Sequence, residues 1–210
     1  MTSTGESESR WQAAWQAVEA VPPPDAFPDL LKRYAEPVRA YHNLQHVLHC
    51  LIHAAEVQAQ LESPGEVLLA IWYHDAIYDP RAHDNEAQSA GLATDVMRQA
   101  GVSERVTNRV SRLILATDHR NATPTGDAAW LVDIDLAILA APGDAFWAYE
   151  AAIRREYAWV PEEAFRQGRA DLLERFLERP AIYATAHFCH RWEAAARENL
   201  RASADRLRSG

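Results

Sequence analysis

The chain has 210 residues and a formal net charge of -9, a length that suits one domain with at most a small appendage and is enough to bury a substantial core. Residues 1–150 carry 10 Lys/Arg against 21 Asp/Glu, and residues 151–210 carry 11 against 9. Nothing in that balance attracts nucleic acid or an anionic membrane, and no apolar run approaches the roughly 18 residues of a membrane span.

Met1 to about Arg10 is polar and lacks the apolar stretch of a signal peptide, so it is expected to be disordered and the protein cytoplasmic. Trp11–Ala20 has the spacing of a short helix with Trp11, Trp15 and Val18 on one side, and Pro22, Pro23, Pro24 and Pro28 then make a stiff connection. Residues 1–24 thus read as a flexible segment with one short helix, and residues 25–205 as the domain. A helix is expected from about Asp29 through Tyr34, ended or kinked by Pro37. The next runs from roughly Asn43 to Leu61 and puts His42, His46, His49 and His53 on one stripe if it is helical throughout. Cys50 lies on it; with only Cys189 besides, a disulfide framework and a thiolate metal site are both set aside. Ser63-Pro64-Gly65-Glu66 has the form of a capping box with Pro at the first helical position. The helix it opens, stopped by Pro80, is apolar on every side from Val67 to Trp72 and should be buried.

Asp84 can cap a helix ending at Gly101, and Ser103 the next, whose Val106, Val110, Leu113, Ile114 and Thr117 keep helical spacing. Asn121–Gly126 reads as a loop and Trp130–Ala140 as a second buried helix. Three more helices follow: Asp144 to about Val160, Pro161 to Arg179, and a last one from Pro180. Alternating apolar runs are absent, so the chain is read as all-α, a single helical bundle.

The chemistry concentrates in Tyr41-His42-Asn43-Leu44-Gln45-His46-Val47 and in Trp72-Tyr73-His74-Asp75-Ala76-Ile77-Tyr78-Asp79. His42 and His46, at i and i+4, lie one turn apart on a helix. His74 and Asp75 are about 100° apart on one and can flank an ion. With a later aspartate in an apolar run, Asp133 or Asp135, these residues form a metal-ligand inventory, since buried carboxylates are costly unless paired or metal-bound. Two His and two Asp suit octahedral Mn²⁺, Fe²⁺, Co²⁺, Ni²⁺ or Mg²⁺, with Zn²⁺ also accommodated.

In these motifs the chain resembles the HD-domain superfamily of metal-dependent phosphohydrolases, whose signature is His…His-Asp…Asp on an all-α fold. Tyr41–His46 is similar to the YHNxxH motif of cyclic-nucleotide phosphodiesterases. The wider arrangement (YHNLQH, WYHDAIYD, NEAQSA, ILATDH, DIDLAIL, IRREY) resembles a small bacterial group of predicted metal-dependent HD phosphohydrolases over roughly residues 25–200. The resemblance implies that His46, His74 and Asp75 are ligands and that His42 donates a proton to the leaving oxygen. For the fourth ligand it points two ways. The apolar pair before Asp133 favours that residue, and the leucine after Asp135 favours the other. They are about 200° apart on a helix, and Asp133 also suits a helix N-cap; Asp133 is preferred.

Further candidates carry bland alternatives. Asp79, one helical turn after Asp75, sits where the (p)ppGpp-hydrolase branch places a water-positioning carboxylate, or is a helix C-terminal acid. Glu86 could hold a water or simply suit the dipole of a helix first turn. His119 could bind a second metal or phosphate, or merely end a helix. Arg154, Arg155 and Arg169 are either phosphate clamps or solvated helix-face charges. The expected activity is hydrolysis of a small phosphorylated substrate, a phosphomonoester, nucleotide (the first choice) or phosphodiester, by metal-activated water. Asp79 or Glu86 would orient that water; a homodimer is left open. The rivals are a regulatory module that binds metal and nucleotide without turnover, and a di-iron HD oxygenase. The second ranks low because only His83 and His119 lie between Asp75 and Asp133.

Overall fold

The structure, a computed structural model, describes residues 4–119 and 124–209. Among the described residues there are ten α-helices, two short 3-10 helices and no strand, as expected of an all-α chain. No helix among them is long and apolar enough to cross a membrane. The chain divides into two compact units, Met1–Val132 and Asp133–Gly210, and the division falls inside one helix.

The first unit contains α1 (Thr4–Gln16), α2 (Ala26–Tyr34), α3 (Leu44–Glu56), α4 (Pro64–Tyr73), α5 (Asn85–Gln99), α6 (Glu104–Ala116) and the start of α7 (Asp127–Asp135). Its centre is α4, where Val67, Leu69, Ala70, Ile71 and Trp72 are fully buried. Helices α1, α3, α5 and α6 all pack on it, which is why its sequence is apolar all round. The N-terminal stretch differs from expectation. From Thr4 onward it is helical rather than disordered, and only Met1–Ser3 lie outside the described residues. Trp11 explains the difference: its ring stacks on Phe27 at 5.6 Å and meets Trp72 edge-on at 5.6 Å, with Trp15 5.5 Å away. Burying two indoles outweighs the poor helix signal of a polar decapeptide.

Helix α1 ends in a Schellman motif. The Ala20 N–H donates to Trp15 O at 3.1 Å and the Glu19 N–H to Gln16 O at 3.0 Å. Glu19 takes the left-handed position at φ 56°, which normally calls for glycine. Just beyond, a Cβ on Gly65 would lie 2.8–3.0 Å from atoms of Ala17, so a glycine permits the start of α4 to meet the end of α1.

Other ends depart from the sequence reading for local reasons. Pro28 sits inside α2, in its first turn, where its missing N–H has no partner to lose. The capping box at Ser63–Glu66 is absent: the Ser63 side chain makes no cap bond. Instead the Asp127 carboxylate accepts from the N–H groups of Glu62 and Ser63, each at 2.8 Å, and Glu66 is paired with Arg109. Ser103 caps α6 through the Val106 N–H, and Gly101 closes α5 at φ 74°, both as expected. Of the loop read at Asn121–Gly126, residues 121–123 lie outside the described residues.

The second unit holds the end of α7, a 3-10 turn at Leu136–Ala140, α8 (Gly143–Glu156), α9 (Glu162–Glu178) and α10 (Ala186–Ser209). Helix α10 starts six residues after Pro180, later than expected, because 181–185 form a loop that Glu193 and Asp133 hold by their carboxylates. Arg208 pairs with Asp171 and Glu174 to join α10 to α9.

Two outcomes test this packing. Replacing Glu19 with Gly relieves the left-handed strain and should raise stability by about 0.5–1 kcal/mol in urea unfolding. Trp11→Ala should cost about 3–5 kcal/mol in the same assay; a loss under about 1 kcal/mol would mean that α1 is not part of the core.

Candidate metal centre

The buried C-terminus of α4 poses a problem that its neighbours solve bond by bond. The last four carbonyls of a helix have no partner within it, and none of these can reach bulk water cheaply. Ala70 O accepts from the His74 N–H at 2.8 Å, and Tyr73 O from the Ala76 N–H at 2.9 Å. Ile71 O accepts from His74 Nδ1 at 2.9 Å, and Trp72 O from the Tyr34 hydroxyl at 2.9 Å. Beyond the helix, Asp75 O and Ala76 O accept from Arg39 at 2.6 and 3.1 Å.

The His74 bond fixes chemistry as well as structure. A carbonyl only accepts, so Nδ1 carries the hydrogen, and in the neutral ring Nε2 carries the lone pair. That Nε2 faces two other donor atoms. It lies 3.1 Å from His46 Nε2 and 3.2 Å from Asp75 Oδ2, and His46 Nε2 lies 3.5 Å from the same carboxylate oxygen. His46 and His74 are 4% and 2% exposed. Between two imidazole nitrogens this close there must be a proton or a cation. Donors bound at about 2.1 Å to one ion lie about 3.0 Å apart at right angles and about 3.4 Å apart at tetrahedral angles. Two edges, 3.1 and 3.2 Å, fall in that range and the third, 3.5 Å, lies just beyond its upper end, so the donor set fits a divalent ion with a small adjustment of one ligand.

Without an ion, the positive charge beside Asp75 comes from the histidines in their protonated form. Burial, the largest influence on Asp75, would raise its carboxyl; the charge of His74, then that of His42, the hydrogen bond from His74 and the charge of His46 together outweigh it. The net effect holds Asp75 well below the ordinary carboxylate range. His49 is pushed down by burial and, less, by His46.

The helical premise for His42 needs correction. The Asn43 backbone is extended, and its side chain accepts from the Gln45 N–H at 2.9 Å, so α3 opens at Leu44 and His42 precedes it. His42 and His46 therefore do not share a helix face, yet their ring centres are 6.0 Å apart. The His42 ring stacks on Tyr78 at 4.3 Å.

Asp79 is corrected in the same way. Because α4 stops at Tyr73, the turn relation between Asp79 and Asp75 does not exist. Asp79 is exposed, its Oδ1 accepts from the Arg81 N–H at 2.9 Å, and its backbone exchanges two bonds with the Asn85 side chain. Ser89, fully buried, ties the same segment to α5 by accepting from the Ile77 N–H at 3.0 Å. Glu86 is half-buried in the first turn of α5, and His119 is half-buried two residues past the C-cap of α6.

In the second unit Asp133 is not arranged as a ligand. Its two oxygens accept from the Ala184 N–H, the Thr185 N–H and the Thr185 hydroxyl at 2.7, 2.7 and 2.6 Å. It is a fully buried anchor for the loop before α10, and burial, ahead of these bonds, moves its carboxyl upward. The preference for Asp133 over Asp135 is therefore withdrawn; Asp135, half-buried, ends α7. Arg154 is engaged by Glu162 and two carbonyls, and Arg169 by Glu150 and Tyr149, so both serve the fold. Arg155 is exposed.

Sequence reasoning passed over three residues here. Arg39, between Val38 and Ala40, gives no motif signal. Tyr34 looked like an ordinary apolar face position. Cys50 was set aside as a thiol, yet its Sγ lies 3.8 Å from His46 Nε2 one turn along α3; the i, i+4 spacing was the available signal. No family model, curated protein or solved structure matches the chain.

Because Asp75 is held low in the folded chain, its contribution to stability is complete above its unfolded value near 3.8 and is lost as pH falls through the folded value. Metal-free wild type should exceed Asp75→Asn in stability most clearly near about pH 5, the gap narrowing on acidification; a gap that widens below the unfolded value would contradict this. Asp133→Asn places an amide NH₂ against N–H donors and should destabilise the fold by about 1–3 kcal/mol. Metal content per folded molecule, read by elemental analysis, should not change.

Proposed function

We propose that this protein is a divalent-metal-dependent phosphohydrolase of the HD type. The observation that carries the reading is the convergence of His46 Nε2, His74 Nε2 and Asp75 Oδ2 within 3.1–3.5 Å, with His74 pre-set by its bond to Ile71 O. The resemblance of its two motifs to HD enzymes supplies the reaction class, and His46, His74 and Asp75 would hold the ion. Asp133 is engaged elsewhere. When bound, a divalent ion supplies Lewis-acid polarisation of a phosphoryl oxygen and acidifies water.

The remaining work falls to the chain. His42, stacked on Tyr78 and 6.0 Å from His46 between ring centres, would give a ring-nitrogen proton to the departing oxygen. Glu86 is retained ahead of Asp79 as the carboxylate that orients water, because Asp79 serves a turn. The substrate class is a small phosphate ester, with a nucleotide first in line.

The test is elemental analysis of protein purified without added metal, beside the His74→Ala, Asp75→Ala double variant. Both are then assayed with Mn²⁺, Mg²⁺, Co²⁺ and Ni²⁺ against phosphomonoesters, nucleotides and bis-phenyl phosphodiesters. Metal and turnover in wild type alone support the reading; metal without turnover moves it to a binding module; equal metal in both removes the site. His42→Ala should keep the metal and lower kcat by about 10²–10⁴.

A further inference from the structure

We infer that Arg39 is the positioning residue of this centre, an outer clamp that holds the His42 loop against the ligand-bearing turn and so sets metal affinity. The inference rests on the metal reading above and adds a determinant that neither motif contains. The Arg39 side chain is fully buried. Its Nη1 donates to His42 O at 2.9 Å and to Asp75 O at 2.6 Å, its Nη2 to Ala76 O at 3.1 Å, and its Nε to Glu36 Oε2 at 3.0 Å. One nitrogen thus joins the backbone of the residue assigned as proton donor to that of a residue assigned as ligand. The planar guanidinium makes this bridge rigid. Its carbon also lies 5.2 Å from the centre of the Tyr34 ring and 5.5 Å from that of Tyr78, the ring that His42 stacks on.

Three carbonyls would otherwise be buried or half-buried without this donor, and two of them follow the buried end of α4. A structural role alone predicts lost stability with unchanged metal chemistry. A positioning role predicts more, because the guanidinium spans two segments whose relative placement decides where Asp75 Oδ2 and His46 Nε2 meet. Partners that orient metal ligands from outside typically govern affinity by about 10–100-fold.

The experiment is Co²⁺ titration of metal-free full-length protein, followed by visible d–d absorption, with metal-free melting measured on the same samples. The variants are Arg39→Gln, Arg39→Lys and, as a control for general instability, Arg169→Gln, which removes a buried arginine of the other unit. Expected is at least about tenfold weaker Co²⁺ binding and an altered d–d band for Arg39→Gln, a smaller loss for Arg39→Lys, and unchanged binding for Arg169→Gln despite its lower melting point. Should neither Arg39 variant fold, Glu36→Gln decides. Glu36 is partly exposed and holds Arg39 Nε, and its loss should weaken Co²⁺ binding about two- to threefold with little change in melting.

Wild-type affinity and spectrum in a folded Arg39 variant, or in Glu36→Gln where it decides, overturn the inference while the metal reading stands. So does a loss that Arg169→Gln shares. Absence of Co²⁺ binding by wild type overturns the metal reading and this inference with it.

Discussion

The structure of the first unit depends on one constraint, that the C-terminus of a helix buried on every side must have its carbonyls satisfied by protein. Water would ordinarily do this, as at most helix ends. At α4 the partners are a backbone turn, a tyrosine hydroxyl from α2, the ring of His74 and the guanidinium of Arg39. Each recruits a different segment to one point. The chain before α3 is held there by Arg39, α2 by Tyr34, and the ring of His74 by the helix it terminates.

The same constraint explains why a polar cluster tolerates burial here. His74 lends a hydrogen to the helix through Nδ1 and thereby turns its Nε2 lone pair toward His46 and Asp75. A carboxylate in that setting is disfavoured by desolvation and rescued by neighbouring positive charge, as the direction of the Asp75 shift records. Structural stability and readiness for a cation are therefore not separate properties. The bond that satisfies Ile71 O is the bond that selects the tautomer able to ligate.

Legibility in the sequence followed range. Features set by neighbours in the chain were readable: the Ser103 cap, Gly101 closing α5, the all-apolar α4, and the His-Asp doublet at its end. So was the pairing of His46 with that doublet, although through motif resemblance rather than periodicity. Two of the failures were set by distant partners. Asp127 caps α4 from 64 residues away at Ser63, so Ser63 and Glu66 are released from the box their spacing suggests. Arg39 reaches 36 residues ahead to Asp75, and nothing in its own surroundings marks it. The helical relation assumed for His42, and for Asp79 with Asp75, failed for a local reason: the Asn43 cap starts α3 only at Leu44, and α4 ends at Tyr73, before either aspartate.

The two aspartates of Asp133-Ile134-Asp135 show how hydrogen-bond accounting discriminates where sequence could not. A carboxylate that ligates a cation directs lone pairs at positive charge, and so does one that receives several N–H and O–H donors. The two uses compete for the same oxygens. Asp133 gives both oxygens to three donors of Ala184 and Thr185, and a cation brought to it would stand against those hydrogens. Turning the carboxylate away from those donors would leave the peptide N–H groups of the loop on which α10 begins without their acceptor. Its occupation is thus enforced by the fold. Had Asp133 been a ligand, residues 184 and 185 would need another acceptor in a buried position, and the acid closest to them in the loop's bonding, Glu193, is already used by Ile182, Tyr183 and Arg197.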